Sequence, residues 1–371
     1  MVDIGIMSAV ALLLAIPASF FWGYVCDKTK HYKRYILLSF LVSTALLSVF
    51  TLTTSIAWLI VLYAMMSVFH VAHEAPKNVL IAELYTHEEW ERRFAFYEGL
   101  TEAGWLIGLL LGFLTSAYGF GAINTLLLCS GLNLVALIMS SILVTDPLLV
   151  FERGLVNIEK SVGFASHGVF LASKMLDGIS VHEKLRKENV TAFCGGLVLF
   201  SLATSILFTP MPVFVSNITK NAGFPESLVF AIFVLNSGGA VAGYFFAGKR
   251  SSGRTGRANF GRIVVFRSLL AFLLTVAVQI TLYNVALVTA ILILMGFAYA
   301  IFLVSTLSLS MELIPAGKAG LFNVLIGIGG ACGSFIGPFI AQAFESSGFI
   351  YVFITSGFLF LASYVAFRIY A

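Results

Sequence analysis

The amino-acid sequence predicts an all-α polytopic membrane protein of two helical bundles, a pseudo-repeat of six plus six spans with eleven transmembrane helices visible. Three observations predict it. Apolar residues make up 59% of the 371-residue chain and charged residues 11%, against about 25% charged in an ordinary globular domain. With 22 basic and 18 acidic side chains, a water-soluble protein of this length could not cover its surface. Apolar runs of bilayer-crossing length, about 20 residues, recur along the chain, and landmarks of the first half return in the second in the same order.

The runs are Ile4–Val25, Tyr35–Thr53, Ala57–Leu84, Phe94–Thr115, Ile123–Val144, Thr191–Val215, Ser227–Phe246, Ile263–Tyr283, Val285–Met311, Leu321–Phe344 and Ile350–Phe367. They are continuous instead of alternating, which favours helices over barrel strands. The eighth and ninth meet at Tyr283-Asn284, where a tight turn is required because the joined run is too long for one crossing. Three segments follow: residues 1–144 as an N-terminal bundle of five visible spans, 145–190 as a cytoplasmic central loop, and 191–371 as a C-terminal bundle of six. The loop's mixed charge and partial amphipathic period, in Phe151-Glu152-Arg153 and Phe170 to Asp177, suggest short helices at the membrane surface linking the bundles.

Orientation follows from the basic residues. Alternate connections carry Lys28, Lys30, Lys33 and Arg34, then Arg92 and Arg93, the central-loop cations, Lys249 to Arg262, Lys318 and Arg368, while the other side has only Lys220. This places the C-terminus in the cytoplasm and Met1 outside, in a multi-pass protein of the cell membrane. The net charge of +4 is spread between apolar runs and forms no nucleic-acid patch. Cys26, Cys129, Cys194 and Cys332 are scattered without a CxxC pair and read as small apolar core residues, not as a disulfide or metal framework. The apolar N-terminus is no signal peptide, since Asp3 stands where a basic region belongs.

Ionisable groups inside lipid are costly and therefore functional suspects. They gather on one hairpin: His70, His73, Glu74 and Lys77 around Pro76 on the third visible span, and Glu98 and Glu102, one turn apart, on the fourth. If these antiparallel helices pack side by side, Lys77 lies level with Glu98, and His73 and Glu74 with Glu102. Lys77 and Glu98 then form an ion pair, and His73, Glu74 and Glu102 a proton-sharing cluster suited to coupling protons to transport. The alternative is a polar network that only holds the hairpin together. His70-x-x-His73-Glu74 is not HExxH, and no second cluster completes a metal site. Arg267, near a cytoplasmic end, is expected to snorkel.

The halves echo one another. Gly23-Tyr24 and Gly243-Tyr244 close corresponding spans. Glu83-Leu84 is followed at offsets of 21 and 25 by Gly104 and Gly108, and Glu312-Leu313 at the same offsets by Gly333 and Gly337. The ladders Gly104/Gly108/Gly112 and Gly329/Gly333/Gly337 predict close helix approach. Such landmarks make a duplicated unit. Thr191 opens the second half 52 residues before Gly243, and the same step back from Gly23 falls 29 residues before Met1. The chain is thus expected to lack the first helix of a six-plus-six protein, through truncation, a late-assigned start or real loss.

On these features, and on Gly23-x-x-x-Asp27-Lys28-x-Lys30-His31-Tyr32-Lys33-Arg34, the chain resembles the major facilitator superfamily of secondary transporters over essentially its whole length apart from that helix. The string resembles the family's signature loop between its second and third helices, with Lys30 where a second Gly is usual. The resemblance implies that Gly23, Asp27, Lys28 and Arg34 form a conformational latch, by an ion-pair network that exists in one state only. The second copy keeps Gly243, Lys249 and Arg250 but no acid. It also implies a central cavity lined by the first, fourth, seventh and tenth helices. The fourth holds His70 and Glu74, the seventh Thr204, Thr209, Pro210 and Pro212, where the prolines should break the helix, and the tenth Tyr299, Ser305 and Thr306. Trp105, Thr209, Asn236 and Tyr299 are the cavity-lining candidates. The antiporter string Gly-x-x-x-Gly-Pro is missing from the fifth helix, where Leu109 follows Gly108, and occurs instead as Gly333-x-x-x-Gly337-Pro338.

The expected function is secondary active transport of a small organic solute by rocker-switch alternating access, coupled to protons, with the protein acting as a monomer in the lipid bilayer and using no cofactor. No GxxxxGK[ST] occurs, so an ATPase is not indicated. The competing reading is a transport-inactive relative serving as a membrane receptor or assembly subunit. An apolar, aromatic cavity with few cations leans toward a neutral or cationic solute.

Overall fold

The computed structural model describes residues 2–29, 31–74, 76, 89–144, 190–250, 256–279, 284–313, 320–344 and 347–370, and over these it contains helices and short turns and no strand. The helices are α1 (Val2–Thr29), α2 (Tyr32–Phe50), α3 (Ile56–His70), α4 (Trp90–Ala117), α5 (Gly121–Leu143), α6 (Val190–Phe208), α7 (Met211–Asn221), α8 (Ser227–Arg250), α9 (Gly256–Gln279), α10 (Asn284–Leu313), α11 (Gly320–Ala343) and α12 (Gly348–Tyr370). With α6 and α7 counted as one broken span, eleven stretches are long and apolar enough to cross a membrane. The protein is a multi-pass membrane protein.

Two prolines interrupt helices, and the sequence predicts the first of these breaks. Thr209 and Pro210 separate α6 from α7. After α3, the chain tightens into a 3₁₀ turn over Val71–His73. Pro76 accounts for it, because its ring clashes with the carbonyl four residues back, Ala72, and offers no N–H. The expected continuation of that span to Leu84 lies outside the described residues. Pro17 and Pro338 instead sit inside continuous helices.

Helices α6 to α12 share one core, with Phe193, Leu207, Leu274, Met295 and Phe360 each at most 1% exposed. Elsewhere α3 packs on α1, where the Trp22 indole N–H donates to the Val68 carbonyl at 2.9 Å. Helix α5 packs on α2, where Ser130 Oγ donates to the Thr44 carbonyl at 2.9 Å. Two long contacts join the groups: α1 against α11 and α4 against α8.

Of the two glycine ladders, one behaves as predicted. A Cβ at Gly329, Gly333 or Gly337 would fall 2.3, 2.5 or 2.3 Å from the carbonyl oxygens of Val198, Leu202 and Ile206, so α11 rests directly on the backbone of α6. Gly104 and Gly108 meet nothing within 4 Å. Their face of α4 points away from α8, which α4 meets through Gly99, Leu106 and Gly112. The cysteines divide likewise: Cys26 is buried, Cys129 and Cys194 are half-buried, and Cys332 is exposed, so only the first is a core residue.

Candidate functional site: a cavity between the helix groups

Where α1 and α3 face α6, α10 and α11 lies a cavity of about 340 Å³. Leu12, Ile16 and Ser19 of α1 form one wall with His70, Val71 and Glu74. The facing wall is Phe200, Ser201 and Thr204 of α6, Tyr299 and Phe302 of α10, and Asn323 with Gly327 of α11. Among these described residues its acidic and basic side chains are Glu74 and His70. The Pro76-induced turn that ends α3 is what carries His70, His73 and Glu74 together. The two imidazoles meet edge to face with centroids 4.6 Å apart, and His73 Nε2 lies 3.4 Å from Glu74 Oε1. Ser39 Oγ and His73 Nδ1 are 3.4 Å apart, and Phe40 stacks on the ring. Glu74 remains 29% exposed at its side chain.

Glu102 is elsewhere. Helix α4 packs along α8 while α3 packs on α1 and α2, so the equal-depth argument that paired the two hairpin arms does not hold. The Ser237 hydroxyl of α8 donates to Glu102 Oε1 at 2.6 Å, placing this carboxylate in the joint between the helix groups. Lys77, and with it the expected ion pair to Glu98, lies outside the described residues, as does the Asp27 side chain of the latch. Of the other latch residues, Gly23 meets nothing within 4 Å, Lys28 Nζ sits 5.8 Å from the Tyr24 ring centroid, and Arg34 is exposed.

Of the four cavity-lining candidates, Tyr299 alone is in the wall. Trp105 is 66% exposed on α4. Thr209, in the break between α6 and α7, donates to Ser334 Oγ of α11 at 3.2 Å. Asn236 Nδ2 donates to the Leu292 carbonyl at 2.6 Å and ties α8 to α10. The contribution of α11 was missed, although its run of small residues around Gly327 and Gly330 marks a face that another surface approaches closely. Arg267 does not snorkel. It is 0% exposed, with its guanidinium carbon 4.9 Å from the Phe200 ring centroid, 5.0 Å from Phe360 and 5.2 Å from Tyr299.

A larger cavity of about 440 Å³ lies between the ends of α4 and α8, beside Arg92, Arg93 and Lys249. It involves that one joint, whereas the smaller cavity is walled by five helices from both groups.

The model of the Major Facilitator Superfamily matches residues 2–338. The chain belongs to this superfamily. A sequence search of curated proteins returned no match. Among solved structures, the crystal structure of an aspartate-to-alanine mutant of the nucleoside transporter NupG superposes with TM-score 0.70 at 14% identity, covering 99% of this chain and 90% of that one. The crystal structure of NupG itself gives 0.66 at 14% identity, covering 99% and 89%. At that identity the likeness establishes the fold. The cavity lies between α1 and α3 of the N-terminal half and α6, α10 and α11 of the C-terminal half.

Proposed function

We propose that this superfamily member is a proton-coupled secondary transporter that moves a small organic solute through the interbundle cavity by alternating access. The cavity wall carries this reading: both halves of the protein contribute to it, and Glu74 and His70 are its ionisable lining. A solute held there touches both halves, so its binding energy bears on their relative position. Glu74 with His73 beside it is a pair able to take up and release one proton as access alternates. Glu102, bonded to Ser237 across the joint, is a second carboxylate whose hydrogen bond must break if α4 and α8 separate. The basic helix ends face the cytoplasm by the positive-inside rule, with the C-terminus on that side, and the protein works as a monomer in the cell membrane.

The test is uptake of labelled solutes, nucleosides and monocarboxylates among them, into proteoliposomes under an imposed pH gradient. Gradient-driven accumulation that is lost in Glu74→Gln, while solute exchange survives, is the expected outcome. Accumulation in Glu74→Gln with unchanged pH dependence would remove Glu74 from coupling. No uptake of any solute would favour a transport-inactive receptor.

A further inference from the structure

We infer that Arg267 is the anchoring cation for an oxyanion group, a carboxylate or phosphate, on the solute that occupies the interbundle cavity; this deepens the transporter reading and rests on it. The argument starts from what Arg267 lacks. A guanidinium carries five in-plane N–H donors and stays charged in proteins, and a buried charge requires partners. Arg267 is fully buried, yet among the described residues its Nε, Nη1 and Nη2 have no hydrogen-bond partner and no carboxylate pairs with it.

What surrounds the guanidinium is aromatic: Phe200, Phe208, Tyr299 and Phe360, with ring centroids 4.9 to 5.9 Å from its central carbon. Ring faces offset part of the cost of burying the charge. They leave the in-plane N–H fork unmet, and that fork has the geometry of a bidentate carboxylate or phosphate contact.

The position relative to the cavity decides which anion can answer it. Phe200 and Tyr299, both cavity-lining, stand nearly parallel with centroids 6.5 Å apart and planes 15° apart. The guanidinium carbon lies 4.9 Å from one centroid and 5.2 Å from the other. It therefore neighbours both cavity-lining rings at once, while Arg267 itself is 0% exposed and stands outside the lining. Thr204, one helical turn beyond Phe200, also lines the cavity, and its hydroxyl is buried without a partner among the described residues. A solute with an oxyanion at one end could set that end on Thr204 and, by turning Phe200 or Tyr299 aside, on Arg267. Its apolar body would then lie along Phe200 and Phe302. The expectation of a neutral or cationic solute is thereby reversed.

Purified full-length protein in detergent, titrated with benzoate, phenyl phosphate, sodium chloride and neutral benzamide, tests the inference through the thermal unfolding midpoint. A ligand that binds the folded state raises this midpoint saturably. Benzoate or phenyl phosphate is expected to do so and benzamide not to, and the more effective of the two identifies the oxyanion. Arg267→Lys should weaken that response at least tenfold by losing the planar fork, Arg267→Gln should abolish it, and Thr204→Val should weaken it several-fold. An unchanged midpoint with both oxyanions, an equal response to benzamide, or a response that survives in Arg267→Gln would overturn the inference. So would saturation by chloride alone with nothing added by the organic anions. The wild-type contrast between oxyanion and amide needs no variant, so it decides the matter even if the substitutions prevent folding. Oxyanion binding at Arg267 without uptake of any solute would leave the site standing and sink the transport reading. Uptake of neutral solutes without oxyanion binding would do the reverse.

Discussion

One substitution, Gly to Ala, should have opposite consequences at two positions that look alike in the sequence. At Gly333 the new Cβ would lie 2.5 Å from the Leu202 carbonyl oxygen, 2.8 Å from Ser205 Cβ and 3.0 Å from the Ile206 nitrogen. Two of these neighbours are backbone, so no rotamer change relieves them. Carbon contacts settle at about 3.5–4.0 Å, so α11 must back away from α6 by on the order of 1 Å. Overpacking of this kind costs about 1–3 kcal/mol, set against roughly 1 kcal/mol that Ala gains over Gly inside a helix. The retreat also stretches the 2.6 Å hydrogen bond from Ser201 Oγ to the Ile326 carbonyl in the same joint. At Gly104 nothing lies within 4 Å of the added carbon, and only the helical gain remains. Gly333→Ala should therefore be less stable than Gly104→Ala by about 1–3 kcal/mol, read from denaturation of the two purified variants in the same detergent. Equal stabilities would refute the direct backbone contact of α11 with α6.

Three further outcomes follow from single contacts. Trp22→Phe keeps the ring in its buried place but loses the hydrogen bond to Val68 and should cost about 0.5–1.5 kcal/mol in the same denaturation assay. Asn236→Ala should cost about 1 kcal/mol of stability while leaving solute affinity unchanged, because Asn236 braces α10 and is absent from the cavity wall; a large affinity loss would contradict that placement. Between the spans, Lys220 Nζ lies 2.8 Å from Glu226 Oε1, and this hydrogen bond and charge hold the Glu226 carboxyl below its ordinary value. A depressed folded-state value gives a contribution complete above the unfolded-state value and lost as pH falls through the folded one. The gap in thermal midpoint between wild type and Glu226→Gln should then close in acid, shrink in high salt because the pair is exposed, and disappear in Lys220→Met.

The spans were legible because crossing a bilayer demands about 20 apolar residues in a row, and few other structures impose that. The break at Pro210 was legible for a similar reason, since proline acts on its own backbone, whereas the turn ahead of Pro76 was not expected. Which face each helix turns inward was harder to read, because lipid and helix core are both apolar and leave no polar stripe to mark the outside. That is why Glu102 on α4 was paired with His73 and Glu74 when its partner is Ser237 on α8, and why Gly104 was grouped with Gly333. Arg267 was misread on position alone. Its signal was depth: the apolar residues Ile263 to Phe266 separate it from the basic helix end by a full turn, and Tyr299, Phe200 and Phe360 wait on three other helices.

Alternating access requires the two halves of the protein to move apart at each end in turn around the cavity. At the basic end of the α4–α8 joint, a Cβ on Gly248 would lie 3.1 Å from Ala95 Cβ, close enough for a disulfide to form with small adjustment. Uptake of labelled solute by an Ala95→Cys/Gly248→Cys protein, with the four native cysteines replaced, is the most direct measurement. Oxidation should stop transport and a reductant should restore it. Transport at the full rate by the cross-linked protein would contradict it.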